Sequence, residues 1–392
     1  MIKRVRYYIF LRDVLVLALS AFGGPQAHIA MMFDLMVSKR GYLSEEELIE
    51  LNALCQILPG PTSTQTITAI GFRIGGPNLA YLTLLVWMIP AVVIMTVAGI
   101  TIGHLQSQNI SIGFTKVIQP MAVGFVSYAA FRIITKVIKT KTAVVILILS
   151  ALGSFKFESP YVFPILILAG GAFTAFKYKA QPKEEKDKIK IQWSNFILWA
   201  GFFVFIAALG GVTRYLPIRL LENFYRSGSL IFGGGQVLIP LLYTEFVQFK
   251  GYLTSQEFLT GYALVQAVPG PVFSFCAYIG SLAMREWGIG GQLLGAFMAS
   301  VGIFLPGTFL IFFVIRFWEG LKKYRIVKAS LEGINAASSG MVVAAAVLMF
   351  LPLEPNASNI SITLGTLAIL IFTKVPAPVI ILLGLGAGFL IY

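Results

Sequence analysis

Apolar residues fall in long unbroken stretches along this chain. Leu79–Gly103 and Gln292–Phe317 each exceed the roughly 20 residues with which a helix crosses a bilayer core. About 12 to 13 such segments follow one another over 392 residues, which predicts an all-α polytopic membrane protein. A soluble fold would have to hide every run in one core, and a chain of this length offers no such volume.

The pattern repeats. Phe22-Gly-Gly-Pro-Gln26 returns as Phe232-Gly-Gly-Gly-Gln236, Gly41-Tyr-Leu-Ser44 as Gly251-Tyr-Leu-Thr254, and Pro59-Gly-Pro61 as Pro269-Gly-Pro271, always 210 residues later. Between 22–61 and 232–271, 16 of 40 ungapped positions are identical. Chance would give about two to four at this composition. Pro90 pairs with Pro306 and Gly124 with Gly340 at an offset of 216, so a short insertion near Arg285–Gly290 separates the two registers. The expected organisation is a first transmembrane repeat over 1–176, a cytoplasmic linker over 177–192 carrying Lys183-Glu-Glu-Lys-Asp-Lys188, an extra transmembrane helix over 193–212, and a second repeat over 213–392.

One additional crossing turns the second repeat upside down, and the loop charges agree. Gly103–Thr115 lacks Lys and Arg, while Arg132–Lys141 carries four. In the second half the pattern is exchanged: Glu319–Ala329 carries Lys322, Lys323, Arg325 and Lys328, and Pro352–Ile360 has no basic residue. Basic loops stay cytoplasmic, so the halves are expected to be inverted-topology repeats, a frequent transporter architecture. Arg214, Arg219 and Arg226 then fall on the outer side, at the interface or around an anion entrance.

Composition narrows the class further. Hydrophobic residues make up 57% and charged ones 12%, against about 25% charged in an average soluble domain, and the mean hydropathy is +0.83. The net charge of +13 would point to nucleic acid in a soluble protein, but here it sits in short loops between apolar runs, so no nucleic-acid partner is expected. The partners expected are membrane lipid, a small oxyanion and, as a further candidate, a second copy of the chain. Cys55 and Cys276 lie in apolar stretches outside any CxxC, so no disulfide, metal site or cofactor is expected. The basic N-terminus precedes an apolar run with no small-residue cleavage site, which reads as a retained first membrane segment.

Candidate chemistry collects where helices must break. Ser44-x-x-Glu47 and Thr254-x-x-Glu257 have capping-box spacing and each should start a helix. Each helix then meets Pro-Gly-Pro, which removes backbone donors and pushes Leu58, Gly60, Val268 and Gly270 away from helical geometry. Pro61 and Pro271 suit the first position of a new helix. Its free amides, at Thr62, Ser63 and Thr64, attract anions, and the side chains of Thr62, Ser63, Thr64, Gln65 and, in the second half, Ser274 add neutral donors. Gly23, Gly24, Pro25 and Gln26 supply a second break of this kind, and Gly233, Gly234, Gly235 and Gln236 a looser one without proline. Broken backbone at membrane depth survives only where protein buries it or it lines a cavity. Gln56 and Gln266 stand three residues before the prolines in both copies. Coupling candidates are His28, Asp34, Arg73 and Glu245; packing is the stronger account of His28 and an interfacial anchor that of Arg73, while loop-end positions account equally for Asp34 and Glu245. Whether each broken segment crosses or re-enters stays open at this point.

These motifs resemble the chromate ion transporter family in its two-domain long form: Phe22-Gly-Gly-Pro-x-x-His28, then Gly41-Tyr-Leu-Ser leading to Gln56-x-x-Pro-Gly-Pro61-x-Ser63-x-Gln65, and the second-half Phe232-Gly-Gly-Gly, Glu245 and Gln266-x-x-Pro-Gly-Pro271. The resemblance covers both halves. It implies a prokaryotic cytoplasmic-membrane protein that exports chromate and depends on the proton-motive force. The chain departs from the family in having Tyr42-Leu43 and Tyr252-Leu253 where Trp-Leu is usual, and Leu35 opposite Glu245 with Asp34 one position away.

The expected function is therefore secondary transport of a tetrahedral oxyanion, chromate with sulfate as a competitor, by alternating access. One alternative is a cation-coupled transporter of another small anion. An intramembrane enzyme is disfavoured because HExxH, paired-aspartate and nucleotide-loop motifs are missing.

Overall fold

The computed structural model describes residues 2–108, 110–157, 159–176, 193–232, 235–318 and 324–392. The charged linker 177–192, Gly233, Gly234, Lys322 and Lys323 lie outside the described residues. The first half runs through α1 (Ile2–Ser20), α2 (Gly24–Met32) with a π-helical extension over Phe33–Lys39, α3 (Glu45–Ile57), α4 (Thr62–Ser107), α5 (Ile118–Val137), α6 (Lys141–Lys156) and α7 (Val162–Ala175). After α8 (Ser194–Thr213) the same order returns as α9 (Leu216–Leu230), α10 (Gly235–Tyr243) with a π extension over Thr244–Phe249, α11 (Ser255–Gln266), α12 (Phe275–Ala283), α13 (Gly288–Val314), α14 (Arg325–Phe350), α15 (Ala357–Phe372) and α16 (Ala377–Ile391). No strand occurs among the described residues.

The capping boxes form in both halves. Ser44 and Thr254 each accept the amide of the glutamate three residues on at 3.2 Å, and Glu47 and Glu257 accept the capping residues' amides at 2.8 and 2.7 Å. These pairs satisfy four amides that a helix start would otherwise leave bare. The helices then stop where proline demands it: Leu58 is extended, Gly60 has φ 121° and Gly270 φ 104°.

The broken segments re-enter. With 13 residues α3 reaches about 20 Å, short of the 30 Å apolar core. α4 is itself interrupted at Gly76 (φ 75°, ψ −166°), so its first arm is of similar length. Arg73, near the end of that arm, ion-pairs with Glu47 at the start of α3. The base of the hairpin is thus closed and its Pro-Gly-Pro tip points inward. In the second half Arg285 closes on Glu257 in the same way, and Gly288 (φ 68°) repeats the interruption. The Phe-Gly-Gly segments are hairpins too: Asp13 of α1 holds Arg40 at 2.7 Å and the Tyr42 hydroxyl at 2.8 Å, beyond the π turn. Arg226 of α9 meets Glu245 in the second copy.

Five helices of the described residues are long and apolar enough to cross a membrane: 62–107, 113–135, 194–213, 285–314 and 329–350. Full crossings are fewer than the apolar segments of the sequence because hairpin arms stop partway. The outer surface carries Leu149, Leu152, Leu168, Val204, Leu364, Leu383 and Leu390 in the open, as lipid-facing helices do.

The two halves interlock by exchange. α5 packs on α15 and α16 of the second half, while α14 packs on α6 and α7 of the first. Gly124 lies against Thr363 and Thr366, and Gly340, 216 residues on, against Leu147 and Ser150, again 216 residues apart. Neither glycine has room for a Cβ, the usual device by which membrane helices approach closely. Contacts in which i meets j and the copy of j meets the copy of i are what a two-fold axis produces.

Candidate functional site

The hairpin tips meet across that axis. The Gly60 amide donates to the Ile231 carbonyl at 2.8 Å, and the Gly270 amide to the Ala21 carbonyl at 2.8 Å. Each Pro-Gly-Pro tip therefore bonds to the backbone just before the Phe-Gly-Gly tip of the other half. Behind each tip glycine stands the residue after the kink proline of the other half's long helix: Gly307 behind Gly60 and Ala91 behind Gly270. Pro90 and Pro306 stand inside those helices, where each removes a backbone donor beside the tips.

Three tips enclose a cleft lined by Pro25, His28, Pro61, Thr62, Ser63 and Pro271, with Val272 and Phe273 completing the wall. Its volume is about 10 Å³, barely enough for one water. The amides of Thr62, Ser63 and Thr64 form the free first turn of α4, since the first bonded amide is that of Gln65, to Pro61 at 2.8 Å. Pro61 is the capping residue, one place earlier than the spacing predicts. His28 is buried, with Nδ1 3.1 Å from Ser63 Oγ and its ring edge-to-face on Trp87 at 5.4 Å. Its Nε2 has no partner among the described residues.

The other predicted donors are otherwise engaged. Gln65 Nε2 donates to the Pro59 carbonyl at 2.8 Å and to Gly307 at 3.2 Å, so this side chain clamps the tip across the halves and offers the cleft no free N–H. Thr64 accepts from Trp87 Nε1 at 3.2 Å. Gly23 (φ 90°) and Gly24 (φ 77°) make the left-handed break before α2, with Gln26 in its first turn. Gly235 and Gln236 open α10; their neighbours Gly233 and Gly234 lie outside the described residues. Pro269 precedes the second tip, which restarts through a tight 3-10 turn, Val272–Ser274, rather than a full α-helix. That turn uses the Ser274 amide on Pro271 at 2.9 Å, and the buried Ser274 hydroxyl stands outside the cleft wall. The second tip thus presents fewer free amides and an apolar surface.

Two coupling candidates lie in ion pairs outside the cleft. Asp34 is exposed and pairs with Lys39 at 2.7 Å, and Leu35 is the residue equivalent to Glu245. Arg73 serves the hairpin base, an arm's length from the tip. Gln56 is exposed and Gln266 half-buried, so the paired glutamines do not converge on the cleft. Sequence reasoning missed Trp87, Gly307 and the acceptor carbonyls of Ala21 and Ile231. The repeated Pro90 and Pro306 were the signal for the first two, and backbone acceptors leave no sequence signal at all.

Paired re-entrant hairpins, meeting tip to tip inside a bundle of apolar helices, define a multi-pass membrane transporter. The chain belongs to the chromate transporter family, whose model matches residues 9–175 and again 218–389. A probable chromate transport protein of Synechococcus elongatus is 26% identical over 94% of this chain and 91% of its own length. The chromate transport protein of Cupriavidus metallidurans is 25% identical over 92% of this chain and 87% of its own. An uncharacterized transporter of Bacillus subtilis is 26% identical over 43% of this chain, which is 96% of that protein, so a single repeat stands there as an entire chain. No solved structure matches.

Proposed function

We propose that this protein carries chromate across the cytoplasmic membrane of a prokaryote, outward, by alternating access between two halves of opposite orientation. The observation that carries the reading is the tip-to-tip cleft: Thr62 and Ser63, from the free first turn of α4, and His28, whose Nε2 has no partner among the described residues, line one cleft. Such donors replace the hydration of a tetrahedral dianion without fixing a permanent countercharge. The names of the full-length relatives support chromate as the substrate. The exchanged loop charges support an axis lying in the membrane plane.

At about 10 Å³ the cleft is closed to an oxyanion, so the tips must part to load it. The inter-half hydrogen bonds there are two between backbones and the Gln65 clamp, each worth about 1 kcal/mol net, beside the packing of Gly307 and Ala91 on the tip glycines. Glu245, beside Arg226 and Lys250, is the carboxylate placed to exchange a coupling proton.

Donors that read only shape and charge discriminate weakly between chromate and sulfate, so sulfate is expected to compete. The test is labelled chromate flux in proteoliposomes under imposed pH and sodium gradients, with and without excess sulfate. Flux that a proton gradient drives, that sulfate reduces and that Ser63→Ala weakens is the expected result. Chromate flux indifferent to a large sulfate excess would remove the shared-site mechanism, and chemical alteration of chromate by the purified protein would replace transport with catalysis.

A further inference from the structure

A second, larger cavity opens away from the tips. It has a volume of about 470 Å³ and is lined by Arg214, Arg219, Glu222, Asn223, Arg226 and Lys250, a size within the range of small-ligand sites. Arg219, Glu222, Asn223 and Arg226 follow the i, i+3, i+4, i+7 spacing and so share one face of α9. Across from them Gly210 and Gly211 of α8 form a side-chain-free wall.

The floor of this cavity is preorganised. Arg226 Nη2 donates to both oxygens of Glu245 at 3.1 Å, its Nε to Glu222 at 3.1 Å, and its guanidinium lies 5.1 Å from the centre of the Tyr161 ring. Glu245 is fully buried and also faces Lys250 at 3.8 Å. The mouth differs: Arg214 and Arg219 are exposed, and neither makes an ion pair among the described residues. Arg214 is held in the left-handed region (φ 52°), the one described residue other than glycine there. Such strain persists only where the surroundings impose it. Four cations and one carboxylate, Glu222, line the cavity, with Glu245 buried behind Arg226 and Lys250, an excess of positive charge on an arm that ends at the tips. From Arg226 to Ile231, whose carbonyl holds Gly60, is about 8 Å along the helix.

The first half keeps cations at two of the four positions, Arg4 for Arg214 and Arg40 for Lys250, with Arg40 paired to Asp13, but lacks the rest. The places of Arg219, Glu222, Asn223 and Arg226 are taken there by Ile9, Arg12, Asp13 and Val16, that of Glu245 by Leu35, and α8 has no counterpart. The cavity is therefore a feature added to one side of a two-fold fold.

We propose that this cavity is a capture site for a divalent tetrahedral oxyanion, received by Arg214 and Arg219 and passed to Arg226 and Lys250, with Glu245 as the resident anion that the ligand displaces. A phosphate headgroup of an anionic lipid has the same chemistry, and the test separates it from a free anion. As a waypoint to the tips the site rests on the transport reading; as a binding site it does not.

The experiment is equilibrium dialysis of radiolabelled sulfate and chromate against the full chain in neutral detergent, at low and physiological salt. Loss of two charge-assisted contacts in Arg219→Gln combined with Arg214→Asn, the asparagine tolerating the left-handed conformation, weakens binding by about tenfold or more and flattens its salt dependence. Glu245→Gln removes the internal competitor and tightens binding several-fold, an effect that damage to the fold does not produce. Unchanged affinity in both variants overturns the capture site. Displacement of sulfate by one phosphatidylglycerol per chain, but not by phosphatidylcholine, overturns the free-anion assignment. Because the readout is binding, a wild type that binds sulfate and fails to move chromate sinks the transport reading alone.

Discussion

Gly60→Ala tests whether the tips hold the halves together. At φ 121° an L side chain is strained, at a cost of about 1–3 kcal/mol. The new Cβ would stand 2.9 Å from Gln65 Nε2 and 3.3 Å from the Gly307 backbone. The backbone cannot yield, so the Gln65 amide moves and loses its bonds to Pro59 and Gly307, about 1 kcal/mol each. The sum is a destabilisation of about 3–5 kcal/mol. Gly270→Ala meets the Ala91 methyl at 3.1 Å and disturbs no polar clamp, so only the backbone strain of about 1–3 kcal/mol remains. Gly201→Ala, in open space on α8, serves as the neutral control. Thermal unfolding of the purified protein in detergent, followed by tryptophan fluorescence, gives the order Gly201→Ala, Gly270→Ala, Gly60→Ala from most to least stable, and chromate flux in proteoliposomes falls in the same order. A Gly60→Ala protein no less stable than Gly270→Ala would refute the Gln65 clamp.

Gln65→Ala leaves two buried carbonyls without their donor and costs about 2 kcal/mol; a variant of wild-type melting temperature and reduced anion affinity would instead return Gln65 to the role of ligand. Arg73→Ala opens the base of the first hairpin, but both partners are partly exposed, so the loss is about 1 kcal/mol or less by thermal unfolding and flux is retained. Asp34→Asn changes stability by no more than about 0.5 kcal/mol, and the pH profile of chromate flux stays that of the wild type; a shifted profile would restore Asp34 as a coupling group.

Much of this arrangement was legible in the sequence because proline and glycine act locally. Pro59-Gly-Pro61 forbids a continuous helix whatever surrounds it, and Ser44 with Glu47 starts one by bonds that close within four residues. The repeat offset paired Gly124 with Gly340 before any contact was known. What could not be read was set by distance. Whether an arm crosses or returns depends on Arg73 finding Glu47, 26 residues away, and either path satisfies the hydropathy. Gln65 looked like a free donor because its acceptors are carbonyls, one of them 242 residues off in Gly307. Asp34 could not be placed from the sequence either, because its ion pair with Lys39 at the surface is one of several that its loop offers.

The halves share a backbone and divide the chemistry. Backbone features recur in both copies: left-handed tip glycines, reciprocal amide bonds and closed hairpin bases. Side chains do not, for the first tip presents Thr62 and Ser63 where the second has Val272 and Phe273, and the second approach carries Arg226 and Glu245 where the first has Val16 and Leu35. On the alternating-access mechanism proposed above, a two-fold backbone would make the inward and outward arrangements nearly equal in energy, and only states close in energy interconvert without a large input. On that mechanism the side-chain asymmetry would set different affinities and loading rates on the two faces. It cannot set net direction, because an equilibrium between compartments depends on concentrations and coupled gradients and not on the carrier. Direction must come from the coupling ion, so without any gradient the chromate concentrations inside and outside a proteoliposome become equal, however lopsided the two approaches to the cleft are.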